Sequence, residues 1–411
     1  MPLLLSVALL APVAVTHAIT FDEALGWAEH SPVVQGARRA LRTQSDLTRR
    51  VSRLTHNPQL SVQPGIRLAP AGAREPELLV ELSQAWSLSG HGGARQRSLE
   101  AEQAVLGAET RAASLAQRLG AARSWIELWV AQRVLAEAQR EQALAGTLTK
   151  LVDRAASLSG ATRADAADAR AYIAEARLLV LAAHGELVNR AATLQREAGR
   201  ALADGTLAAR GELPAAPVPS KSAQLRMLGR LAALPEVQLR ALRARAERLR
   251  MTEERSARGW VLQLGLMAQR DAPGGFLLSG GLRVTVPLFD RGERESAPLA
   301  AQAERQTGEG HDALVRARAD LAEAIHEVTH TEEVLAELRD NLVPASREGA
   351  ALRERIFRAG EATVLEVLQS RRTAVAAVGR LERARGAHAW ARVKLWLLST
   401  TLLRQPAAGR P

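Results

Sequence analysis

The chain has 411 residues and a net charge of +11, carried almost wholly by arginine, since Lys150, Lys221 and Lys394 are the only lysines. Aromatic residues make up 3% of it, which excludes a thick aromatic core; Ala, Leu, Arg and Glu dominate, the composition of long helices packed on small residues. The lack of cysteine excludes disulfides, thiolate zinc sites and a lipid-modified N-terminal cysteine.

A basic chain raises the question of nucleic acid, but here the arginines alternate with Glu and Asp along helix faces, without a finger or sheet motif. No nucleic-acid partner is expected. Leu3 to Val15 form a short apolar run closed by Thr16-His17-Ala18, which fits a secretory signal peptide over 1–18, although no Lys or Arg follows Met1. No other stretch reaches about eighteen consecutive apolar residues, so a membrane location requires a β-barrel.

From residue 19 onward one unit occurs twice. Ser31-Pro32-Val33-Val34-Gln35 returns as Leu234-Pro235-Glu236-Val237-Gln238, Val134-Leu135-Ala136-Glu137 as Val334-Leu335-Ala336-Glu337, and Gly160 as Gly360, each about 200 residues later. The first repeat, 19–201, predicts a helix near 33–55, strands near 59–68 and 78–88, and long helices near 93–157 and 163–199. A linker over 202–233 follows, in which Leu213 to Ser220 is kept from being helical by three prolines, Pro214, Pro217 and Pro219. The second repeat, 234–404, predicts a helix near 236–257, strands near 260–269 and 277–288, and long helices near 293–358 and 361–401, before a loose tail over 405–411.

The strands are about ten residues each, enough to cross a bilayer's hydrocarbon at a barrel tilt. Leu60, Val62, Ile66 and Leu68, with Trp260, Leu262, Leu264 and Leu266, alternate with Ser61, Gln63, Arg67, Gln263 and Gln269. One face then meets lipid while the other lines water, with Trp86 and Trp260 in the interfacial girdle. An open edge cannot lie in lipid, so four strands must oligomerise to close. A soluble sheet capped by helices has the same alternation. The longest helices, at 1.5 Å per residue, reach on the order of 100 Å, far beyond the needs of a globular domain.

Over essentially the whole mature chain these segments resemble the outer-membrane efflux (TolC) proteins. The resemblance rests on Asn57-Pro58-Gln59-Leu60, Leu82-Ser83-Gln84 leading to Leu88-Ser89-Gly90, Pro287-Leu288-Phe289-Asp290-Arg291-Gly292-Glu293-Arg294, and Arg355-Ile356-Phe357-Arg358-Ala359-Gly360 with Val364-Leu365-Glu366-Val367-Leu368. It implies a mainly α fold with a transmembrane β-barrel: a homotrimer whose twelve strands form one outer-membrane barrel, continued by an α-helical periplasmic tunnel. It further implies an exit duct working with a periplasmic adaptor and an inner-membrane pump, of RND type. The Asn-Pro strand start and the glycine-rich turn after the second strand look most like CzcC-type members of heavy-metal efflux systems. Under the same resemblance Gly160, Arg163, Gly360 and Thr363 mark adaptor-docking tips, and Glu366, Asp165 and Asp168 are gate candidates. The next acidic gate position holds Gln369. Arg67, Glu81 and Arg283 would face the barrel lumen, and no cofactor is expected.

His326-Glu327-Val328-Thr329-His330 is a literal HExxH, whose two imidazoles share one helix face as zinc ligands do, with Glu327 in the place of a general base. Glu348 and Glu354 lie too far along the same predicted helix to supply a third ligand, and the first repeat carries Ile126 and Val130 at the histidine positions. The motif therefore reads as a chance match and the chain as a non-enzyme. The competing functions are a protein-secretion duct, a zinc hydrolase on His326, Glu327 and His330, and a soluble periplasmic coiled-coil scaffold.

Overall fold

The computed structural model describes residues 15–52, 54, 56–68, 74–158, 161–200, 206–271, 275–289 and 292–404. The elements run β1 (Val15–Ile19), α1 (Phe21–Glu29), α2 (Pro32–Arg50), β2 (Gln59–Leu68), β3 (Arg74–Ser87), α3 (His91–Ser157) and α4 (Arg163–Glu197), then β4 (Thr206–Ala209), α5 (Lys221–Leu228), α6 (Pro235–Ala257), β5 (Val261–Asp271), β6 (Gly275–Thr285), α7 (Glu293–Glu337), α8 (Val343–Arg358) and α9 (Val364–Arg404). The protein is mainly helical, and the order helix, strand, strand, long helix, long helix occurs twice.

Two features add to the sequence reading. The segment expected as a linker and equatorial segment, 202–233, holds β4, α5 and a short 3₁₀ turn, Leu231–Ala233. The repeat is correspondingly longer, because α1 precedes α2 as α5 precedes α6. Thr20 starts α1 with a capping box: its hydroxyl accepts from the Glu23 backbone N–H while the Glu23 carboxylate accepts from the Thr20 backbone N–H. Secondly, β1 runs through the expected cleavage point after Ala18 and pairs in parallel with β4, Ala18 opposite Ala208.

The residues fall into two compact units. The first comprises residues up to Gly36, Ala113–Leu234 and the part from Arg316. Its main core packs Trp125, Leu128, Leu194, Leu207, Val393 and Leu397, all buried. Burying two indoles requires partners for their N–H groups. Trp125 Nε1 donates to the Ile19 carbonyl and Trp129 Nε1 to the Gly211 carbonyl, each at 3.0 Å, which ties the non-helical segments to α3. Between α7 and α8 the helix widens into a π turn, Leu338–Leu342, where the Val343 N–H reaches back to the Leu338 carbonyl. Pro344 explains the placement: it has no N–H for the carbonyl four residues back, and its ring would press on that carbonyl in a regular helix.

The second unit comprises Ala37–Ala112 and Pro235–Val315. It carries a four-stranded antiparallel sheet in the order β2-β3-β5-β6. Ion pairs join α6 to α3, Arg243 to Glu109 at 2.6 Å and Arg250 to Glu102 at 2.8 Å, and Arg250 also pairs with Glu247 one turn earlier on α6 at 3.0 Å. Gly259 closes the turn into β5, where a Cβ would lie 2.2 Å from the Ser89 Cβ, so only glycine fits.

Candidate functional site

The sheet is the first candidate. Directly opposite residues in an antiparallel ladder share a face. The three pairings align Leu60 with Leu82 and Leu266, Val62 with Val80, Ala268 and Leu278, and Trp86 with Leu262 and Val284. One face is therefore nearly all apolar, and it is open: Leu60 is 67% exposed, Leu266 60% and Leu282 69%. The reverse face carries Ser61, Glu81, Met267 and Ser279 in one row, and Ala85, Gln263 and Arg283 in another. There Gln263 Nε2 donates to Ser83 Oγ at 3.0 Å. Arg67 pairs with Glu75 in the β2–β3 register. The lumen candidates Glu81 and Arg283 thus share one side of one sheet. Among the described residues β2 and β6 remain its edges and the sheet does not close.

The helical hairpin tips are the second candidate. At the end of α8, Gly360 takes φ +80°, its N–H bonds to the Phe357 carbonyl and the Glu361 N–H bonds to the Ile356 carbonyl, a Schellman stop. Thr363 Oγ1 then accepts from the Glu366 N–H at 3.3 Å to open α9, and the Glu366 carboxylate pairs with Arg353 at 3.2 Å. Gly160, the matching tip of the first repeat, lies outside the described residues. Beyond it Arg163 is exposed at the start of α4, and Asp168 is exposed one turn further. Asp165 is committed locally: its carboxylate accepts from the Thr162 hydroxyl (2.7 Å) and backbone N–H (2.9 Å) in a capping box. Those bonds hold its carboxyl below the usual range.

Above these tips the structure assembles charges that the sequence reading did not single out. The Tyr172 hydroxyl on α4 donates to the buried Glu141 carboxylate on α3. Arg371 on α9 faces Glu141 at 3.8 Å and bonds Glu354 on α8. Arg372 grips Glu175 of α4 through two nitrogens, at 3.0 and 2.9 Å, and lies over the Tyr172 ring. Burial pushes the Glu141 carboxyl above its ordinary range, with Tyr172 and Arg371 pulling the other way. These contacts join the α3–α4 hairpin to α8 and α9. Tyr172 is the only tyrosine in the chain, and that was the one available signal.

The HExxH face is solvent-facing on α7. His326 and His330 are exposed, with near-parallel rings whose centroids lie 5.8 Å apart. Glu327 is turned to Lys394 at 3.2 Å. Among the described residues no group of three or more His, Cys, Asp or Glu is arranged to hold a metal.

No protein-family model matches the chain, and no curated protein does. Solved structures do. A membrane protein from Pseudomonas aeruginosa superimposes with a TM-score of 0.71 at 16% identity, over 92% of each chain. The Campylobacter jejuni CmeC outer membrane channel gives 0.71 at 15% identity, over 93% of this chain and 85% of that one. The Neisseria gonorrhoeae MtrE outer membrane channel in its open state gives 0.67 at 15% identity, over 92% and 88%. The chain has the fold of these channels. Among the described residues no helix is long and apolar enough to cross a membrane.

Proposed function

We propose that this protein is the outer-membrane exit duct of a tripartite efflux system. Three chains would pool their strands into a twelve-stranded barrel, with the apolar sheet face toward lipid and Arg67, Glu81 and Arg283 toward a water-filled lumen. The observation that carries this reading is the register itself, which aligns exposed leucines across the sheet on one side and polar groups on the other while leaving both edges open. In water such a face and such edges would drive aggregation; in a lipid-embedded closed barrel both are satisfied. The fold shared with channel structures supports the same assignment.

In this reading the duct does no chemistry. An inner-membrane pump of RND type supplies the energy, and a periplasmic adaptor docks at the tips marked by Gly160, Arg163, Gly360 and Thr363. Glu366 and Asp168 give the periplasmic mouth its negative charge, while Asp165 mainly caps α4. Heavy-metal cations, the cargo of CzcC-type systems, are the proposed substrates. The assembly is tested by the mass of the detergent-solubilised protein: the proposal requires three times the 44.1 kDa chain, and a detergent-independent monomer would sink it.

A further inference from the structure

The paired histidines of α7 are absorbed by neither the fold nor the duct, and they are not randomly placed. Leu321, Ala324 and Val328 turn the inner face of α7 into a buried cluster with Leu395 and Leu402. His326 and His330 stand on the opposite, exposed side, one helical turn apart. Their rings are inclined by only 13°, with centroids 5.8 Å apart, so a small change of side-chain torsion would aim one nitrogen of each at a common point. The intervening carboxylate is held away by Lys394. In the first repeat the matching position Ile126 is buried in the core, so the pair belongs to the second repeat alone.

We infer that His326 and His330 form a surface bis-imidazole site for a single divalent transition-metal ion, with water completing the coordination shell. Two neutral imidazoles select borderline cations over Mg²⁺ and Ca²⁺, which prefer oxygen ligands. Among first-row divalent ions the order of site affinity places Cu²⁺ highest. With only two protein ligands the site is open and exchangeable, suited to holding a cation loosely. Glu327 takes no part in it. The site does not depend on the export reading: it would exist on this helix whatever the chain conducts.

The test is titration of untagged, detergent-purified protein with Cu²⁺, followed by calorimetry and by electron paramagnetic resonance. The expected result is one site per chain with two nitrogen ligands. Losing one arm of a chelate removes the effective concentration it supplied, so His326→Gln or His330→Gln should each weaken binding about tenfold or more. The double variant should abolish that site and its nitrogen signature. Glu327→Gln and His184→Gln, at an isolated histidine on α4, should bind as the parent does. Helicity by circular dichroism checks that each variant is folded. Parent-like binding by the folded double variant, or loss of the site in Glu327→Gln, would overturn the assignment.

Discussion

Leu266 is the residue on which the sheet's orientation can be tried. It is the middle residue of β5, five positions from either end of Val261–Asp271. At about 3.3 Å per residue and a tilt of about 40°, those five positions span about 13 Å along the membrane normal, which places Leu266 at the centre of an apolar band about 25 Å tall. Arginine on the lipid face at that depth costs about 2–4 kcal/mol per chain, which at about 1.4 kcal/mol per tenfold is roughly a 30- to 700-fold loss in the folded-to-unfolded ratio. Met267, the next residue, lies on the reverse face with Glu81 and Ser279, and there Met267→Arg should cost under about 1 kcal/mol. The assay is refolding from urea into phosphatidylcholine vesicles, with the folded fraction read across the urea series. Equal loss for the two variants, or tolerance of Leu266→Arg with loss for Met267→Arg, would refute the facing of the sheet. In a soluble scaffold Leu266→Arg would be harmless, because the side chain already stands in solvent.

Other outcomes follow from the tips and turns. At Gly360 an added Cβ meets nothing within 4 Å, so the cost is backbone strain alone: Gly360→Ala should lose about 1–2 kcal/mol in denaturant titration, and Gly360→Leu no more than that, whereas a packing requirement would make leucine far worse. Gly259→Ala should be severe by clash with Ser89 and should be substantially rescued by Ser89→Gly, a coupling that a double-mutant cycle in thermal unfolding would expose. Two carboxyls of the α3–α4 hairpin should respond to acid with opposite signs. Asp165, with its pKa lowered in the folded chain, contributes stability above its unfolded pKa that is lost as pH falls through the folded value; Asp165→Asn should remove that loss. Glu141, raised by burial, binds its proton more tightly when folded, so its contribution worsens as pH rises from about 4.5 through its folded pKa. Glu141→Gln should therefore flatten the decline in stability above pH 4.5, and an unchanged slope would contradict its burial.

The sequence displayed the strands because alternation survives on a sheet with one lipid-like and one water-like face: Leu60, Val62 and Ile66 alternate whether or not their partners are known. It displayed the tips because a glycine between two long helical patterns, Gly360, has few other uses. Thr162-Arg163-Ala164-Asp165 also fits a capping pattern, and the Asp165 carboxylate makes those local bonds. The α1 and α5 helices were hidden by shortness, nine and eight residues against neighbours several times longer. Glu141, Tyr172, Glu354 and Arg371 come from four helices, and no spacing within one segment announces contacts that only tertiary packing creates. The closed barrel of the proposed trimer is illegible in one chain for a related reason, since its remaining strand pairs would lie between chains.

The central claim is that these chains together make a pore, and the most direct measurement is ionic conductance across a planar lipid bilayer after addition of the detergent-purified protein. Discrete current steps are expected, with a cation preference that falls when Glu366→Gln and Asp168→Asn are combined, as carboxylates at a pore mouth concentrate cations. A silent bilayer, from folded protein that stays monomeric and soluble without detergent, would contradict the account.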